Sequence, residues 1–206
     1  MRTGKRKRML WAIAAVIAVA LALCGCANGG GNAPELTVGG KAFYYGMEQA
    51  EAEKGLAGEP NGMATVLFYE NATVIFRDKK LVFVSASENA KCGGVAIGDA
   101  KDKILEKYRD ILETQKPYLA NETDATTVED YLEQSRFITV LYAKNGEKIE
   151  PFEGTVLEFE EQVAAAQRQA RGDRPTDYYY LSFEVSADGM VGRISFGDYR
   201  AATIME

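Results

Sequence analysis

The chain has 206 residues, with 24 Lys and Arg against 30 Asp and Glu, a formal net charge of −6 and no histidine. The missing imidazole removes the commonest general base and transition-metal ligand, so Ser-His-Asp and Cys-His catalysis are excluded within the chain. Three cysteines cannot build a four-cysteine zinc site. An acidic balance argues against nucleic acid or anionic headgroups as electrostatic partners.

Arg2, Lys5, Arg6, Lys7 and Arg8 form a basic cluster, and residues 9–23 follow as an apolar run of 15 residues. That length suits the hydrophobic part of a signal peptide and is short of the ~20 residues a spanning helix needs. The basic flank stays cytoplasmic, so the rest of the chain is exported. Leu23-Cys24-Gly25-Cys26 then resembles the lipobox of bacterial lipoproteins, with Leu at −3, Gly at −1 and Cys at +1. Cys24 fits less well, because Leu23 would stand at −1, where a small residue is needed.

The resemblance implies cleavage between Gly25 and Cys26 and a diacylglyceryl anchor, palmitate-like in its chains, on the Cys26 thiol. Two acyl chains at about 0.8 kcal/mol per buried CH₂ hold stably to a bilayer where one is marginal. An uncleaved signal-anchor helix over 9–27 is the alternative. Either way the remainder lies on the extracytoplasmic face of the cell membrane.

Cleavage would remove five of the 24 basic residues and no acidic one. That leaves 19 against 30, a net charge of −11. Residues 26–37 comprise the lipidated cysteine and a Gly- and Asn-rich tether (Asn28, Gly29, Gly30, Gly31, Asn32) that lets the domain stand off the bilayer. Cys92 is then the remaining thiol, so no intramolecular disulfide can form. It reads as a small buried apolar residue beside Gly93 and Gly94.

Two segments open alike: Phe43-Tyr44-Tyr45-Gly46 and, 52 residues on, Val95-Ala96-Ile97-Gly98. Self-similarity at such a period suggests one supersecondary unit used twice, over 38–90 and 91–206. In the first unit a short helix is predicted over 46–55, stopped by Gly55, Gly58 and Pro60. Strands follow over 63–69, 73–76 and 81–84, with turns near Glu70-Asn71 and over Asp78-Lys79-Lys80, giving a three-stranded meander.

The second unit starts with Asp99 as a helix cap. Ile104, Leu105, Tyr108, Ile111 and Leu112 make one apolar helix face. A capping pattern at Thr126 and Glu129 predicts a second short helix burying Tyr131 and Leu132. A strand over 137–142 leads into the Asn145-Gly146 hairpin. Strands over 178–185 and 190–196 flank Asp188-Gly189, a type I′ candidate. Between them Thr155 and Glu158 cap an amphipathic helix over 155–171, a helical insertion. The expected fold class is α+β: two similar units, each a helical segment with a small antiparallel sheet, behind a lipoprotein signal peptide.

Tyr45-Gly46-Met47, the Gly58-Glu59-Pro60 stop and Gly94-Val95-Ala96-Ile97-Gly98-Asp99 leading to Lys107-Tyr108 resemble a group of small Gram-positive lipoproteins. Their unit is similar to the beta-lactamase-inhibitor-protein-like fold, shared with the SmpA/OmlA outer-membrane lipoproteins. The chain departs from that pattern at Arg109, where Gly is usual, and in a longer segment over 113–177. The resemblance implies a tandem fold and no particular activity, since such folds hold binders and assembly factors with unrelated partners.

No catalytic constellation, cofactor motif or metal site is legible. Glu158, Glu160 and Glu161, and Glu129, Asp130 and Glu133, read as solvated helix faces, and no segment has the spacing of an EF-hand loop. Tyr178, Tyr179 and Tyr180 must point to both faces of a strand. With Tyr44, Tyr45 and Tyr69 they form a candidate binding surface for an envelope protein, peptide or glycan, against the plainer reading of sheet-face packing. The expected function is a membrane-anchored, non-catalytic binding or assembly module. A cell-envelope hydrolase using paired carboxylates and a small solute-receptor lipoprotein are the alternatives. A Cys26→Ser chain should lose all incorporation of labelled fatty acid in cells; labelling that survives the change removes the lipoprotein reading.

Overall fold

The computed structural model describes residues 33–63, 65–120, 124–169 and 177–202. The basic cluster, the apolar run, Gly25, Cys26 and most of the tether lie outside the described residues. Among the described residues no helix is long and apolar enough to cross a membrane.

β1 (Leu36–Val38) and β2 (Lys41–Phe43) make a hairpin, and α1 (Gln49–Ala52) runs into a single 3-10 turn, Glu53–Gly55. β3 (Asn61–Met63), β4 (Val66–Phe68), β5 (Thr73–Arg77) and β6 (Lys80–Ala86) then form a meander. The strand expected over 63–69 is therefore split, with Met63 opposite Val66. Strand formers run through this stretch without a Gly, Pro or Asn to mark the reversal. Asp78 and Lys79 both take positive φ (50° and 61°), the two-residue turn that suits the twist of a hairpin.

β7 (Ala90–Cys92) and β8 (Val95–Ala96) return to β1, giving a small antiparallel sheet ordered β2-β1-β7-β8. The expected boundary at 90/91 falls inside β7. α2 (Asp102–Gln115) buries Ile104, Tyr108, Leu112 and Gln115 and ends at Lys116 in the left-handed region, ahead of Pro117. Asp99 does not cap it. Its carboxylate accepts from the Ala96 N–H at 2.8 Å, closing the preceding turn, and the helix starts at Asp102 with no side-chain cap.

α3 (Val128–Gln134) is capped one residue later than expected. Thr127 accepts from Asp130 N–H at 3.1 Å, and Asp130 accepts in return from Thr126. β9 (Phe137–Asn145) and β10 (Lys148–Pro151) pair with Asn145 opposite Lys148, so the turn centres on Gly146-Glu147. α4 (Val156–Gln169) has the predicted capping box. Glu158 accepts from Thr155 N–H at 2.7 Å, and Thr155 accepts from Glu158 N–H.

β11 (Tyr178–Val185) and β12 (Val191–Asp198) are joined over Ala187-Asp188-Gly189, before α5 (Tyr199–Ala202). Only Gly189 takes positive φ there (78°), and Ser186 N–H donates to Met190. The loop is thus a three-residue turn ending in a left-handed glycine, and not type I′. Asp188 instead accepts from the Ser186 hydroxyl.

The large sheet has eight antiparallel strands in the order β10-β9-β11-β12-β6-β5-β4-β3. Its inner face carries Val74, Val84, Ile138, Val140, Leu181, Phe183, Ile194 and Phe196 against α2, α3 and the small sheet. The outer face has a second, smaller core of Ile75, Phe83, Leu141 and Tyr180 under Phe159 and Val163 of α4 and Ala201 of α5. Phe159 is fully buried, edge-to-face with Phe152, Tyr178 and Tyr199, a burial that contributes about 2–3 kcal/mol.

β10 stops short of the first half of β9, which would leave a bare edge. Two buried side chains take the missing strand's place. Gln115 accepts from Leu141 N–H at 2.9 Å and donates to Leu141 O at 2.8 Å. The Tyr131 hydroxyl donates to Phe137 O at 2.9 Å and accepts from Thr139 N–H at 3.4 Å. Gln115→Leu keeps the volume and leaves the Leu141 N–H without a partner, while Leu141 O keeps the Phe152 N–H at 2.9 Å. It should lower the urea midpoint, at unchanged slope, by the equivalent of about 2 kcal/mol.

Candidate functional site

Antiparallel register puts directly opposed residues on one face of the sheet. Across the outer face one such line runs Phe68, Thr73, Ser85, Ser195, Ser182, Thr139, one residue from each of β4, β5, β6, β12, β11 and β9. Asn61 of β3 stands opposite Phe68 and extends it. Next to this row on one side are Ile75, Phe83, Tyr180 and Leu141, which lie in the core under α4 and α5. On the other side are Arg193, Glu184 and Phe137. The helices cover the apolar half of the face and leave the hydroxyl row at its margin, half-exposed except for the buried Ser85.

The hydroxyls are paired along the row. Ser85 and Ser195 lie 2.8 Å apart, and Thr139 donates to Ser182 at 3.5 Å. Phe68, at the β4 end of the row, is exposed at 49%, and Phe137, two residues from Thr139 on the neighbouring line, at 53%. The Arg136 guanidinium stands 5.5 Å from the Phe137 ring centroid, close enough for a cation–π contact. Arg136 also donates to Glu184 at 2.5 Å, and Glu184 takes Arg193 at 3.3 Å. These charges line one side of a groove of about 670 Å³, with Lys101 paired to Glu133 at its far wall.

The tyrosines singled out from the sequence sit elsewhere. Tyr179 is buried on the inner face, its ring 4.6 Å from that of Tyr45 and edge-on to it. Tyr180 is buried on the outer face near Phe83, and Tyr178 is half-buried with its hydroxyl donating to Gln162. Sheet alternation sends them to both faces, and both faces are covered at this end of β11, so they serve as packing groups. Tyr44 is exposed at 42%. Cys92 is buried. Asn71 has its amide engaged, accepting from Ala57 N–H and donating to Gly55 O. The acidic clusters lie on α3 and α4, and no cluster of three or more metal-ligating side chains occurs among the described residues.

Beneath the sheet Arg77 donates to the fully buried Asp198 at 3.2 Å. Tyr45 and Tyr179 share a hydrogen bond beside this pair. Burial first, and then the Asp198 charge, push Tyr45 up to about 12. Burial, and then Tyr45, raise Tyr179 further. The arrangement ties the ends of β5, β11 and β12 together.

Compared with known proteins, the chain matches no family model, no curated protein and no solved structure.

A raised tyrosine pKa stabilises the fold in full below the ordinary value of 10.0, and that stabilisation is lost as the pH rises through about 12. Phenolate absorbance should therefore show a tyrosine titrating at about 12 that is missing from a Tyr45→Phe chain. A Tyr45 that ionises near 10 contradicts the buried pair.

Proposed function

We propose that the chain is a lipoprotein, anchored through Cys26 to the extracytoplasmic face of the cell membrane, whose folded part is a non-catalytic binding module. The observation that carries the binding reading is the half-covered outer face of the large sheet. α4 and α5 stop at the apolar row and leave at their margin a registered polar row, half-exposed apart from Ser85, with the exposed rings of Phe68 and Phe137 near its two ends. The anchor reading rests on Leu23-Cys24-Gly25-Cys26 behind a basic, then apolar, leader.

The topology supports a tandem origin. β4-β5-β6 and β9-β11-β12 are both three-stranded meanders, and they meet through their last strands, β6 and β12. The β10 hairpin and α4 are then the insertion in the second unit.

A photocrosslinking amino acid placed at Phe137 or Phe68 in living cells should capture an envelope component. The same group at Leu157, exposed on α4, should capture none. Equal capture from all three positions, or none from any, would sink the binding reading. Turnover of an envelope substrate by the purified chain would favour the paired-carboxylate hydrolase instead.

A further inference from the structure

We infer that the half-open face of the large sheet binds an uncharged, polyhydroxylated glycan strand of the cell wall, laid across the strands along the row from Phe68 to Thr139. The inference rests on the binding-module reading and gives that module its ligand.

Three features of the row select this chemistry. The first is its length and uniformity. Between Phe68 and Thr139 lie five strand intervals of about 4.8 Å, or about 24 Å, each with one short uncharged side chain. Such a track matches an extended polymer with repeating polar groups better than a compact ligand. Each hydroxyl carries one donor and two acceptor positions, so the Ser85–Ser195 and Thr139–Ser182 contacts orient the row and still leave capacity for a ligand's hydroxyls.

The second feature is the order of polar and apolar groups. Protein–protein interfaces set aromatic and apolar anchors at the centre and polar groups at the rim. Here the row is hydroxyl-lined, with the phenyl ring of Phe68 at its β4 end and that of Phe137 beside its β9 end, on the line next to Thr139. A sugar ring offers an apolar C–H face and a polar edge. It can stack on a phenyl ring at either end while the hydroxyls between exchange hydrogen bonds with its neighbours. Arg136, held by Glu184, limits the swing of the Phe137 ring.

The third feature is charge. The row itself carries none, and Glu184 lies between Arg136 and Arg193. The chain as a whole is at −6, and at −11 after loss of its basic leader. A polyanion approaching this face would be repelled by the rest of the molecule. An uncharged glycan would not, and a wall strand is the glycan within reach of a short membrane tether.

The test is co-sedimentation of the full chain, purified in detergent, with cell-wall sacculi stripped of anionic polymers. Sedimentation is expected to hold from about 0.05 M to about 0.5 M salt, because no charge is neutralised on binding. Soluble N-acetylglucosamine oligomers should compete. Phe68→Ala and Phe137→Ala should each weaken binding about tenfold, the factor one lost ring stack corresponds to, and Leu157→Ala should leave it unchanged. Both rings are exposed, so the variants should keep the wild-type circular dichroism; the competition experiment needs no variant at all.

Three results overturn the proposal. One is a folded chain that stays in the supernatant. Another is binding seen only to unstripped sacculi and abolished by salt, which would mark an anionic ligand. The last is a dimer in sedimentation velocity that either ring variant dissolves, since a second copy would then cover the face. A protein captured by crosslinks at Phe137, with no sacculus binding, leaves the binding module standing and removes the glycan alone.

Discussion

The pairing of β12 on β6 makes one sheet of strands whose partners lie more than a hundred residues apart in sequence. Its register, Ile194 to Ala86, Ser195 to Ser85, Phe196 to Val84 and Gly197 to Phe83, sets which side chains share each face from β3 to β10. Gly197 shows how close the approach is. A Cβ there would lie 2.6 Å from Val82 O and 2.8 Å from Phe83 Cα, so any larger residue forces the strands apart. Just beyond the last registered pair the Arg77–Asp198 ion pair ties the same two halves from the inner face. Breaking such a pair strands a buried charge, typically at a cost of about 3–5 kcal/mol. A slip of one residue at this junction would turn Ser195 inward and Phe196 to solvent.

From that register follows the unequal treatment of the two faces. The inner face is apolar along most of its length and takes two helices and the small sheet. The outer face is apolar for only part of each strand, and α4 and α5 are sized to that part. β11 records the change within one strand, because its outward side chains run Tyr178, Tyr180, Ser182, Glu184, from core to surface. Where β9 loses β10 as a neighbour, Gln115 and Tyr131 complete its edge. Gln115 and Tyr131 thus occupy the groups at Phe137, Thr139 and Leu141 that an added strand would use on that side.

Much of the fold was legible where local chemistry decides it. The Thr155–Glu158 box and the apolar face of α2 fell where their residues indicated, and the turn expected over Asp78-Lys79-Lys80 closed on its first two residues, with Lys80 opening β6, since caps, helical period and turn conformations depend on near neighbours. The misplacements are also local and small. Thr127 displaced Thr126 as a cap, Asp99 turned to Ala96, and Gly189 closed a three-residue turn. The hydroxyl row was not legible. Thr73, Ser85, Thr139, Ser182 and Ser195 are single polar positions in five separate strands, and nothing in any one segment says that they stand in line. The tyrosines drew attention because they are adjacent in sequence, but adjacency along a strand sends side chains to opposite faces.

The position of β12 near the middle of the sheet constrains how the chain can fold. It is the last strand, yet it separates β11 from β6, so until residues 191–198 arrive β6 has an unpaired edge and the two meanders are separate. No stable eight-stranded intermediate can form on the shorter chain.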